Sequence, residues 1–171
     1  MSKSKKISIG AMITIISIVL LYLTSILTTT KIFLITLSSF LISVVVIEAG
    51  TSTALLSYAS TAILSFILIP NKLMVIPYVI LFGQYPITKY YVERLNNFVL
   101  EWIIKLLCFN VAVYINYIIF TMFISKDINI PLSICAIILA LQVIFILYDY
   151  MFSRFISYYR NRIRKHLHTK S

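Results

Sequence analysis

Charge is scarce in this sequence, and negative charge scarcer still: 12% of the 171 residues are charged, and only five are Asp or Glu. Soluble domains carry roughly 25% charged residues, so a water-exposed globule is excluded. Cysteine is limited to Cys108 and Cys135. Both lie in apolar runs, where a buried Cys behaves as a small hydrophobe rather than as a disulfide partner or metal ligand. No phosphate-binding glycine loop, HExxH, CxxC or nucleophile-triad pattern occurs, so the expectation is a chain that is not an enzyme and carries no cofactor. His166 and His168 have no Cys or carboxylate nearby in sequence and read as part of a solvated basic tail rather than a metal site.

What the chain has in abundance is hydrocarbon. Hydrophobic residues make up 61% of it and the mean hydropathy is +1.00, which points to an integral membrane protein. Length and punctuation predict an all-α, polytopic protein with six transmembrane helices in one bundle, at about 7–27, 32–49, 53–70, 73–92, 98–123 and 130–152. These form a single transmembrane domain over residues 1–171, with 153–171 as a basic amphipathic cytoplasmic tail. The apolar run Ile7 to Leu27 follows a basic start but exceeds a signal-peptide h-region and has no convincing small-residue cleavage site, so it reads as a retained first span. The connections "TTTK", "EAGTST", "PNK" and "SKDINIP" are short; Gly50 is expected to stop the second helix, with a following Thr or Ser capping the third.

The formal charge is +10, with 15 Lys and Arg against the five acids. Six spans put both termini on one side. The basic residues of the N-terminus, Lys89, Arg94 and the whole C-terminal tail then share that side, leaving only Lys31, Lys72 and Lys126 opposite, with Lys105 inside the fifth span. This bias predicts cytoplasmic termini in a multi-pass protein of a bacterial plasma membrane. It also assigns the excess charge to anionic lipid head groups, with Arg160, Arg162, Arg164 and Lys165 as contacts, rather than to nucleic acid.

The fourth span carries "FGQYPITKYYVER", residues 82–94. Leu73 to Gly83 alone would reach roughly 16 Å as helix, about half the hydrocarbon thickness, so the span must include the polar stretch. Pro86 cannot donate to the carbonyl of Phe82, and Gly83 loosens the same turn; a bend is expected there, and Pro77 can add another. Freed backbone and the Gln84 amide should then face protein or a water-filled cavity. Lys89 and Glu93 are four apart, as are Glu101 and Lys105, whose face continues through Cys108 and Ala112 toward Asn116. Glu48 ends the second span, and Asp149 closes a stripe with Cys135 and Gln142 in the sixth. An ionic network of Glu48, Lys89, Glu93, Glu101, Lys105, Asp149 and Arg154 is expected near the cytoplasmic boundary, either as structural glue or as a partner-docking surface. A solute entering from outside would meet neutral groups such as Asn116 and Thr121.

This layout, with "ISIGAMITIISIVLLYLTSIL" as first helix and "GQYPITKYYVE" in a proline-broken fourth, resembles the substrate-capture (S) components of energy-coupling factor transporters and their relatives, the rod-shape-determining MreD-type proteins. The resemblance covers nearly the whole chain at the level of hydropathy. It implies a six-helix fold. For an S component it further implies a vitamin or metal substrate bound near the outer side, and a first helix that docks through two alanines four apart on a transmembrane coupling subunit working with ATPases. This chain has Gly10 and Thr14 at that spacing. The expected function is therefore a small-solute-binding subunit of such an importer. The alternative is an MreD-like membrane scaffold that recruits cell-envelope partners through its polar layer and basic tail.

Overall fold

The computed structural model describes residues 2–27, 29–95, 97–123 and 134–163, and all of its regular structure is helical. Six α-helices follow in order: α1 Lys3–Ile26, α2 Lys31–Ala49, α3 Thr51–Leu68, α4 Tyr85–Val92, α5 Phe98–Phe123 and α6 Ile134–Tyr158. Among the described residues, five stretches, coinciding with α1, α2, α3, α5 and α6 with its continuation, are long and apolar enough to cross a membrane. The predicted fourth span is not a continuous helix. A 3₁₀ turn at Lys72–Met74 leads into a π-helical turn at Tyr78–Phe82, and α4 begins only at Tyr85.

The chain divides into two compact units, residues 1–116 and 117–171. In the first, α1, α2 and α3 bury small and hydroxylated residues alongside two clusters of large apolar ones, and leave further large apolar residues outward. Gly10, Thr14, Ser17 and Thr24 of α1 are buried, as are Ser38, Ser39 and Ser43 of α2 and Ala54, Ser57, Thr61 and Ser65 of α3. Meanwhile Ile7, Met12, Ile15, Val19, Leu56, Ile63 and Ile67 are exposed. Such an arrangement would be unstable in water but suits lipid, where apolar side chains gain nothing by burial and close backbone approach supplies the packing. A methyl group added at Gly10 would stand 2.9 Å from Ser57 Oγ and 3.0 Å from Thr53 Cγ2. Gly10 thus packs closely against α3 of the same chain, and with Thr14 it also lines a groove between α1 and α3.

Two apolar clusters fix the register. Ile13 of α1 joins Ile42, Val45 and Val46 of α2 and Ala54 of α3. Leu21 joins Ile35, Ile69, Val75 and Tyr78. Numbering rises together along α1 and α3 and falls along α2, so α1 and α3 run parallel and α2 antiparallel to both. The tight α2–α3 corner is made by Gly50, at φ 92° and ψ 169°, a conformation open essentially only to glycine. Its N–H donates to Val45 O (3.1 Å) and its carbonyl accepts from Ala54 N (3.1 Å). Gly50 therefore ends α2, as expected, and also opens α3, displacing the Thr or Ser cap predicted there.

In the second unit α6 continues without a break past residue 152 to Tyr158 and then into a π turn, Tyr159–Ile163. The tail predicted to start at 153 is thus helical at its beginning and continuous with α6. Arg160 and Arg162 lie exposed on that final turn; Arg164 and Lys165 lie outside the described residues, as do His166 and His168.

Because a Cβ at Gly50 meets nothing within 4 Å, Gly50→Ala isolates backbone strain from packing. We expect it to cost about 1–3 kcal/mol, read as a lowered melting temperature of the detergent-purified protein at unchanged helical content.

Candidate functional site

The candidate site is the broken segment between α3 and α5 and the charges at its end. The π turn exists because Gly83 N donates to Tyr78 O at 2.7 Å, five residues back, rather than to Val79 O four back. That shift leaves the Val79 carbonyl free, and the hydroxyl of Tyr58 on α3 donates to it at 2.6 Å. Pro86 has no N–H for the carbonyl of Phe82; Ser39 Oγ of α2 donates to it at 2.6 Å. Ile80 O accepts from the side-chain amide of Gln84. Three carbonyls released by one break are satisfied by three side chains, two of them from neighbouring helices. Away from water such carbonyls need these side-chain donors.

Gly83 is required here by contact. A Cβ would stand 2.7 Å from the Tyr58 ring and 2.9 Å from Tyr78 Cζ, so the segment can wedge against both tyrosines only with hydrogen at that position. Pro77 immediately precedes the π turn at φ −59° and Pro86 is the second residue of α4, where a missing N–H costs little.

Gln84 does not point into the bundle as its polarity suggested. It is exposed, because its amide is held by its own segment's free carbonyl. It borders a groove of about 240 Å³ between the broken segment and α5, lined by Ile80, Thr88, Leu107, Cys108, Val111, Ala112 and Ile115. Cys108 is likewise exposed on this groove, where an inward position was expected. A second groove, of about 330 Å³, runs between α1 and α3 over Gly10, Ala11, Thr14, Ser57 and Ser60.

Four of the seven predicted network residues come together at the end of the broken segment. Lys89 Nζ lies 2.9 Å from Glu93 Oε1. Lys105 Nζ lies 2.5 Å from Glu101 Oε1 and 3.4 Å from Glu93 Oε1. Glu93 thus bridges α4 to α5 through two lysines. Both ammonium groups are almost fully buried, at 1% and 2% exposure, whereas Glu93 is 40% and Glu101 22% exposed. Two positive and two negative charges cancel, which limits the desolvation cost of burying the lysines. Their flanks are aromatic: Lys105 stands over the Trp102 ring at 5.8 Å and Arg94 over Tyr90 at 5.0 Å.

The surroundings of the other predicted residues are as follows. Glu48 is half-buried in the last turn of α2, with Oε1 shielded from solvent. Asp149 belongs to the second unit, where Ser153 Oγ donates to its backbone carbonyl at 2.9 Å. Arg154 Nε donates to Tyr150 Oη at 2.9 Å on the same helix. Asn116 donates to Ala112 O and Thr121 to Ile118 O, each at 2.8 Å and each back to α5.

Ser39 and Tyr58 were not anticipated. Nothing local marks them, since their carbonyl partners lie 43 and 21 positions away. The hydroxyl stripe Ser57, Thr61, Ser65 does repeat every four residues and was readable as a helix-packing face. No protein-family model, curated protein or solved structure matches this chain.

Two predictions follow from this geometry. Ser39→Ala removes the donor to Phe82 O and should cost about 0.5–2 kcal/mol, measured by thermal unfolding, while Ser60→Ala on the exposed face of α3 leaves the melting temperature unchanged. In double-mutant cycles, Lys105→Met with Glu101→Gln should couple by about 1–2 kcal/mol, and with the more exposed and more distant Glu93→Gln by less than about 1 kcal/mol.

Proposed function

We propose that the chain crosses a bacterial plasma membrane six times with both termini in the cytoplasm, the broken segment serving as the fourth crossing, and that it acts as the small-solute-binding subunit of an importer of the energy-coupling factor type. The observation that carries this reading is the discontinuous helix itself: a break held open by hydroxyls of α2 and α3, with Gln84 exposed on a groove against α5. Broken helices near the midplane are where transporters form solute sites. The groove's size, its mostly apolar lining and the neutral amide at its edge suit a small, uncharged, partly apolar solute. The α1–α3 groove, floored by small residues, would admit a helix of a transmembrane coupling subunit at close approach.

A second reading, an MreD-like scaffold, is favoured by one feature. Glu93, within the ionic cluster, and Arg94 next to it are exposed and offer a cytoplasmic partner a pair of opposite charges.

Mild-detergent purification of the tagged chain, with mass spectrometry of retained proteins and small molecules, separates the two. Solute capture expects a coupling subunit with ATPases, or a retained small molecule lost on Gln84→Leu, and a coupling subunit released by Ala11→Trp in the α1–α3 groove. Cell-envelope proteins recovered without ATPases or ligand, and released by Glu93→Ala, would overturn capture in favour of the scaffold.

A further inference from the structure

Between the two apolar clusters of the first unit lies a layer of hydroxyls. Ser17 is one turn from both Ile13 and Leu21, Ser38 stands between Ile35 and Ile42, and Ser65 is one turn before Ile69. With α1 and α3 parallel and α2 antiparallel, these positions fall at one level. The Tyr78 hydroxyl, at the start of the π turn, faces the hydroxyls of Ser38 and Thr61 at the same level.

Ser17, Ser38, Ser65 and Tyr78 are each 0% exposed. Other buried hydroxyls in these helices bond to carbonyls: Thr14 to Gly10 O, Thr24 to Leu21 O, Ser43 to Phe40 O and Thr61 to Ser57 O. Those of Ser17, Ser38, Ser65 and Tyr78 have no hydrogen-bond partner by both distance and angle within the chain, although the Tyr78 hydroxyl is close enough to those of Ser38 and Thr61 to interact with them. A serine can turn back to the carbonyl four residues before it. A tyrosine cannot, and the Tyr78 hydroxyl is fixed at the end of a ring wedged against Gly83.

We propose that this layer is an internal water site, in which one or more bound waters bridge the hydroxyls of Tyr78, Ser38, Ser17 and Ser65. Each hydroxyl both donates and accepts, so the set matches a neutral molecule with two donors and two acceptors. The named hydroxyls carry no formal charge, so a cation would enter the layer uncompensated, at high cost in low dielectric. The water ties α1, α2 and α3 to the π turn at the point where the backbone departs from the helical pattern.

The test is X-ray radiolytic hydroxyl labelling of the full chain in lipid nanodiscs, read by mass spectrometry, since buried side chains are oxidised where a bound water is the radical source. Tyr78 should be labelled although it is as inaccessible as Leu21, which should stay unmodified. Ser38→Ala and, separately, Ser17→Ala should reduce Tyr78 labelling several-fold while exposed Tyr22 keeps its rate. Tyr78 as unreactive as Leu21 in a folded sample in which Tyr22 is oxidised means that the hydroxyls bond only within the chain, and the site does not exist. Equal Tyr78 labelling in wild type and both serine variants assigns the signal to bulk solvent and also overturns it.

Discussion

A backbone carbonyl shielded from water must find a hydrogen bond, and the structure of the first unit is organised around three that lose theirs. The shift of Gly83 N to Tyr78 O frees Val79 O, and Pro86 frees Phe82 O. Leaving such a group bare in a water-excluded interior costs several kcal/mol. Tyr58 and Ser39 supply the donors, which requires α2 and α3 to approach the broken segment closely. Gly83 permits that approach, because any side chain there would strike Tyr58 and Tyr78. The break and the small-residue packing of the helices around it are therefore one feature.

Polar groups inside this unit fall into two classes with different physics. The hydroxyls of α1–α3 are neutral and can largely be satisfied by their own helices, so they admit close packing at little electrostatic cost. The lysines at the end of α4 and inside α5 cannot be buried alone; each is matched to a carboxylate whose other side still reaches solvent. The first class holds helices together, and the second sets where the broken segment meets α5. The groove beside Gln84 has a neutral lining, and the buried charge of this unit is gathered at the end of the broken segment.

Sequence patterns located most helices closely. Apolar length placed α1, α2, α3 and α5 within a few residues of their observed bounds, because a membrane-spanning helix is written as an unbroken run of side chains soluble in lipid. Pro86 announced the break and even the carbonyl it would orphan, since proline's missing N–H is a local property. The i,i+4 pairs Lys89–Glu93 and Glu101–Lys105 were legible for the same reason. Glu93's second contact, to Lys105 on another helix, was expected only as membership of a wider network.

The outward positions of Gln84 and Cys108, the use of Gly10 and Thr14 against α3, and the roles of Ser39 and Tyr58 could not be read off the chain. A π turn changes the angle at which every later side chain leaves the helix, so helical periodicity misplaces residues beyond it. Which small face meets which helix depends on the register between helices, and here that register is set by the two apolar clusters and the Gly50 corner. The sequence by itself determined helicity, the apolar length of the long helices and the site of the break, all of which are short-range properties. Only the tertiary structure decided who satisfies the broken backbone and which polar groups face outward, because those partners lie tens of residues away along the chain.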